Sequence, residues 1–149
     1  MKLTIHIDGG SRGNPGPAGA GVMIQDDGGH SLLEAGYFLG RMTNNMAEYH
    51  GLLKALDACL ACGATDVQFI CDSELMARQL NGEYRVRNET LKDLFDQASA
   101  RLRRITKWRI RHVRREANER ADKLANAAMD AEEDVVELDR LSMKDGAGA

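Results

Sequence analysis

The 149-residue chain has few cysteines, few prolines and no long apolar run. Three cysteines is an odd count and gives no disulfide framework. No stretch approaches the roughly 20 apolar residues that a membrane-spanning helix needs. The opening residues, MKLTIHID, alternate and end in an aspartate, which argues against a secretory signal. The expectation is a cytoplasmic protein with no membrane contact. No internal repeat is present. Hydrophobic residues make up 43% and charged residues 29%, an ordinary balance that predicts one globular domain with a real core.

Both prolines fall in one segment, DGGSRGNPGPAGAG (Asp8 to Gly21), beside six glycines. The segment has no Gly-Lys-Ser/Thr, and its glycines miss the G-x-G-x-x-G spacing. An apolar alternation, not a helical period, follows it. Phosphate-cradling loops of both kinds are therefore excluded. What remains is a tight turn opened by Asp8, either as ordinary turn chemistry or as a functional carboxylate at a strand end.

Around this turn the pattern is strand-like. Leu3, Ile5 and Ile7 alternate with Thr4, His6 and Asp8; Ala20, Val22 and Ile24 alternate after it; and DDGG (Asp26 to Gly29) signals a hairpin into a third strand near Leu32 to Leu39. TNNMAEYHGLLKALDACLACG reads as a helix with Thr43, Asn44 and Asn45 as capping candidates. DVQFICDS is a short apolar strand ending at Asp72 and Ser73. A helix through Leu91, Leu94, Ala98 and Leu102 precedes a strand with Trp108, Ile110 and His112. Asn118 is placed to cap a last helix bearing Ala121, Leu124, Ala125 and Ala128. The order predicts an α/β fold with a mixed sheet flanked by helices. After about Ala131 the chain turns acidic, and residues 132–149 read as a dispensable tail, either helical through Leu141 or flexible.

Four carboxylates stand where core elements end or turn inward. Asp8 closes the first strand and Asp72 the fourth. Glu48 lies four residues before Leu52, on the apolar face of its helix, and Asp122 lies near the Ala125 side of the last helix. Each has a bland reading: turn, cap or boundary charge. Together, at aligned strand ends, they would repel strongly unless divalent cations neutralised them, and an oxygen-only ligand set suits Mg²⁺ or Mn²⁺.

The net charge of −3 hides a basic stretch: Arg101 to Arg120 holds nine Lys/Arg against two Glu. Such a stretch can hold a polyanion, or be a solvated face. CLAC (Cys59 to Cys62) sits at a helix C-terminus with no second ligand pair, so buried apolar cysteines are expected there. The four histidines show no ligand spacing.

The acids and the words around them, DGGSRGNPGP, GRMTNNMAEYHGL, CDSEL, YRVRN and REANERADKLA, resemble type 1 ribonuclease H over about residues 1–131. The resemblance implies a five-stranded mixed sheet, three strands antiparallel and then two parallel, and cleavage of the RNA strand of RNA–DNA hybrids. It implies that Asp8, Glu48, Asp72 and Asp122 bind two Mg²⁺ (or Mn²⁺) beside the scissile phosphate, with Asp8 bridging them. It implies that Asn14, Asn44 and Asn45, with backbone around Gly10, Ser11 and Arg12, read the minor groove and ribose hydroxyls. Arg41, Thr43 and Asn88 resemble a pocket for a DNA-strand phosphate. No obligate protein partner is implied, and a monomer is expected.

This chain departs from the family pattern in three places. The basic protrusion after the third acid is missing; LNGEYRVRNETL is short, and substrate binding would be weaker or would lean on Arg101 to Arg115, if that surface faces the hybrid. No loop histidine precedes Asp122, leaving Arg115, or the strand residue His112, for product release or phosphate contact. Glu74 stands where some members have a groove-binding glutamine. The alternatives are a non-catalytic hybrid- or RNA-binding module and, less well matched, a DNA recombinase or transposase on the same fold.

Overall fold

Strict alternation of apolar residues makes the first segment the centre of a sheet. In the computed structural model, which describes residues 1–141, β1 (Lys2–Ser11) runs antiparallel to β2 (Gly16–Asp26), and β2 to β3 (Ser31–Met42). The chain then forms α1 (Asn44–Ala61), β4 (Asp66–Cys71), α2 (Glu74–Leu80), α3 (Glu89–Leu102) and β5 (Lys107–His112). A short 3-10 turn (Arg115–Asn118) leads into α4 (Glu119–Ala131), and β6 (Val135–Asp139) follows. The strand order is β5-β4-β1-β2-β3-β6, with β4 parallel to both β1 and β5.

The two faces of the sheet are covered unequally. Leu3, Ile5 and Ile7 of β1 and Val67 and Phe69 of β4 join Leu52, Leu56 and Cys59 of α1 and Leu94, Ala98 and Leu102 of α3 in the main core. On the opposite face α4 packs over β1, β2 and β3, and the 3-10 turn before it touches β1. There the sheet surface is glycine: a Cβ at Gly21 would lie 1.9 Å from the Ala121 carbonyl oxygen, and one at Gly36 2.1 Å from that of Leu124. Helix and sheet thus meet backbone to backbone. The α1 face has the same device, since a Cβ at Gly9 would lie 2.4 Å from the Ala47 carbonyl.

Two expectations are corrected. The sheet has six strands, not five, because part of the expected tail is the sixth. β6 pairs antiparallel with β3, Asp134 Oδ1 accepts the Phe38 N–H at 2.9 Å, and Arg120 bridges Glu34 of β3 and Glu137 of β6. Leu141 is buried in the core. The acidic run hid Val135, Val136 and Leu138, which pair with a strand edge whose backbone groups would otherwise lack partners. The folded unit therefore passes the expected boundary at residue 131; residues 142–149 of the expected tail lie outside the described residues. The second correction is Asn118, which makes no side-chain cap for α4.

Gly21→Ala is expected to lose about 1–3 kcal/mol in denaturant unfolding, the usual cost of overpacking, because neither backbone can yield to the new methyl. Truncation after Ala131 is expected to lower the unfolding midpoint, since it strips the edge of β3 and leaves Glu34 as the only acid bridged to Arg120.

Candidate active site

The site forms where β1 and β4 end side by side. Ile7 is paired with Cys71, so the next residues, Asp8 and Asp72, emerge together at the sheet edge. Ser73, not Asp72, caps α2 by accepting the Met76 N–H at 3.1 Å, so capping does not account for the Asp72 carboxylate. The tight seat of Ala47 on Gly9 brings the following residue, Glu48, to the same point, where the Gly9 N–H donates to its carboxylate. The seat of α4 on Gly21 brings Asp122 into hydrogen-bonding reach of Asp8, the cross-strand partner of Gly21. One carboxylate oxygen each from Asp8, Glu48 and Asp72 lie within 4.8 Å of one another. All four acids line one open cleft of about 530 Å³ with Gly10, Ser11, Arg12, Asn44 and Arg115.

Burial and mutual repulsion hold protons on this cluster. Burial first, then the Asp72 and Asp122 carboxyls, push Asp8 up to about 8. Glu48 is raised well above the ordinary range by burial and by the charges of Asp8 and Asp72, against weaker opposition from the Gly9 N–H and Arg115. Of the two arginines on the cleft wall, Arg115 is the one paired with an acid of the cluster; its Nε stands 3.7 Å from Asp72 Oδ2 while its side chain is 78% exposed. Glu48 Oε2 and Asp72 Oδ1 are buried and accept no hydrogen bond. Buried acceptors without partners are costly. An oxygen-only set with orphaned lone pairs fits a hard divalent cation such as Mg²⁺ or Mn²⁺.

The glycine-rich turn is clamped to the start of α1. Asn44 Oδ1 accepts the Ser11 N–H at 2.7 Å, and Asn14 Oδ1 accepts the Asn44 N–H at 3.1 Å. Gly13, at φ +108°, takes a conformation that other residues rarely adopt. Arg12 is held against α4 by Asp130 at 2.7 Å and by Asn126. Thr43 caps α1 through the Met46 N–H, and Asn88 caps α3 through the Leu91 N–H. Asn14, Arg41, Thr43, Asn45 and Asn88 do not line the cleft. His112 lines a separate cavity of about 280 Å³ with Asn81 and Ile110, so Arg115 is the one of that pair at the acids.

Sequence reasoning missed the role of Asn118. It is 2% exposed, donates from Nδ2 to the Ile7 carbonyl at 2.8 Å, and places Oδ1 3.2 Å from His6 Nδ1. It fastens the start of α4 to the residue before Asp8. An asparagine just ahead of a helix reads as a cap, so nothing in the sequence separated the two roles.

A family model described as reverse transcriptase-like matches residues 6–128. The chain is 44% identical over 130 residues to ribonuclease HI of Halobacterium salinarum, covering 87% of this chain and 65% of that protein. It is 43% identical over 132 residues to the bifunctional protein Rv2228c of Mycobacterium tuberculosis, covering 88% of this chain but 36% of that protein, so it spans about a third of that relative's length. Among solved structures, LC11-RNase H1 in complex with RNA/DNA hybrid matches with a TM-score of 0.83 at 41% identity, covering 87% of this chain and 97% of that one.

The raised pKa of Asp8 has a signed consequence for stability. Between its unfolded value of 3.8 and its folded value of about 8 the native state binds the extra proton, so Asp8 lowers the stability of the metal-free protein as pH rises through that window. Asp8→Asn is expected to raise metal-free stability at neutral pH by on the order of a few kcal/mol and to flatten its pH dependence. Urea unfolding at several pH values in a chelator checks this, and added Mg²⁺ is expected to narrow the gap by stabilising the unsubstituted protein alone.

Proposed function

The chain belongs to the type 1 ribonuclease H family, and on that premise we propose that it is a metal-dependent endonuclease that hydrolyses the RNA strand of RNA–DNA hybrids. The observation that carries the metal requirement is the pair of buried, unpartnered oxygens, Glu48 Oε2 and Asp72 Oδ1, inside a cluster of four acids at one sheet edge. The products would carry 5′-phosphate and 3′-hydroxyl ends.

Asp8, Glu48, Asp72 and Asp122 are the residues that would hold two Mg²⁺, with Mn²⁺ as a substitute. When bound, the ions supply an activated water and stabilisation of the leaving 3′ oxygen. The chain's own residues do the positioning. Gly9 orients Glu48 through its N–H, and Asn118 fixes α4, and so Asp122, against the end of β1. The clamped turn presents backbone at Gly10 to Arg12 toward the cleft, while Asn14, Asn44 and Asn45 supply amides that donate and accept, as a ribose hydroxyl requires. Thr43 and Asn88 spend an oxygen acceptor on their caps, which leaves donors, as contact with a DNA-strand phosphate requires; Arg41 adds charge. Arg115, exposed beside Asp72, would meet the phosphate as product leaves. A cytoplasmic, monomeric working state belongs to the same proposal and rests on composition.

Cleavage of a labelled RNA–DNA hybrid with Mg²⁺ or Mn²⁺ tests this reading. Asp8→Asn and Asp72→Asn are each expected to lose more activity than the roughly 10–100-fold typical of outer partners in a metal site. An inert wild-type chain with both metals overturns it, and tight hybrid binding without turnover selects the non-catalytic module instead.

A further inference from the structure

The basic stretch from Arg101 to Arg115 is split by the fold. Arg101 turns to α1 and pairs with Asp57 at 2.8 Å. Lys107, Arg109 and Arg111 alternate along β5, the edge strand, with Ile110 buried on the opposite side of the sheet. Register places them in three rows: Lys2–Asp66–Lys107, Thr4–Gln68–Arg109 and His6–Ile70–Arg111. The next row begins with Asp8 and Asp72. The three cations therefore lie on the same sheet face as Asp8, in file, leading away from the acids.

One contact supports the rows: Arg109 Nη1 lies 3.4 Å from Asp66 Oδ1. All three cations are exposed, and among the described residues Lys107 and Arg111 have no ion pair. α4 packs on this face over β1, β2 and β3, and the 3-10 turn seats Asn118 on Ile7 and His6, so the uncovered strands are β4 and β5, with exposed Arg115 of that turn beside Asp72. Two strands at the usual spacing make a strip about 10 Å wide, which fits one strand of nucleic acid and not a double helix. Its floor is half-buried Gln68 and buried Ile70, with half-buried Thr4 and His6 along the β1 side. Cations on alternate residues stand about 7 Å apart, a repeat comparable with the phosphates of an extended strand.

We propose that this strip is a track for single-stranded nucleic acid running on from the hybrid held at the acids, with its phosphates on Lys107, Arg109 and Arg111. The inference rests on the ribonuclease H reading for what enters the cleft, but the track has its own readout. It gives the chain a second electrostatic hold on substrate where the basic protrusion is missing.

The test uses labelled oligouridine alone, in chelator, and a short RNA–DNA hybrid either blunt or carrying an oligouridine extension. Wild type is expected to bind oligouridine with a slope of log K against log salt of about −2, from three phosphates at about −0.7 each. The triple variant Lys107→Glu/Arg109→Glu/Arg111→Glu is expected to lose that binding while keeping blunt-hybrid cleavage, which also shows that it folds. Extension is expected to lower KM about tenfold for wild type and not for the variant; Arg111→Gln alone is expected to lose part of the gain. Three results overturn the track: no oligouridine binding by wild type, equal binding by the triple variant, or equal displacement of oligouridine by polyglutamate. A chain that binds oligouridine through these residues yet cleaves no hybrid keeps the track and sinks the ribonuclease reading. One that cleaves blunt hybrid and ignores the extension does the reverse.

Discussion

The site depends on two helices lying closer to the sheet than side chains normally allow. Gly21 and Gly36 let the backbone of α4 rest on β2 and β3, and Gly9 lets α1 rest on β1. The helices come from opposite faces and carry Asp122 and Glu48 to one sheet edge, where β1 and β4 deliver Asp8 and Asp72. A methyl group at any of these glycines would lift a helix and separate a carboxylate from its neighbours. The close packing is thus a positional device, and the acids are its product.

Convergence of like charges has an energetic cost that the fold does not meet alone. Asp8 is forced toward its neutral form by burial and by the Asp72 and Asp122 carboxyls, and two acceptor oxygens are left without partners. One exposed arginine at 3.7 Å cannot balance four acids. The rest of the structure holds the cluster together regardless: Asn118 ties α4 to β1, the Gly9 N–H orients Glu48, and the turn is laced to α1 through Asn14 and Asn44. A site kept rigid while electrostatically unsatisfied is preorganised for cations and for the charge they bring.

Charge elsewhere follows the topology, not the sequence order. The acidic C-terminal run, read along the chain, looks solvated; in space Glu137 and Asp134 fasten an edge strand through Arg120 and the Phe38 N–H. The basic run looks like one patch, yet one of its residues pairs with α1 and three form a file on the open sheet face.

Local pattern determined much of this protein. Alternation marked the strands, helical spacing put Glu48 among apolar neighbours, and position at strand ends singled out Asp8 and Asp72, because these properties repeat over two to four residues. Tertiary structure alone decided the rest. Asn118 read as a cap because its partners, His6 and Ile7, are more than a hundred residues away. The sixth strand was hidden because a strand of two valines and a leucine among acids forms only when another edge needs pairing. The meeting of the four acids depends on glycines that have no side chain to advertise a contact; their effect is visible only when a helix backbone is found resting on them.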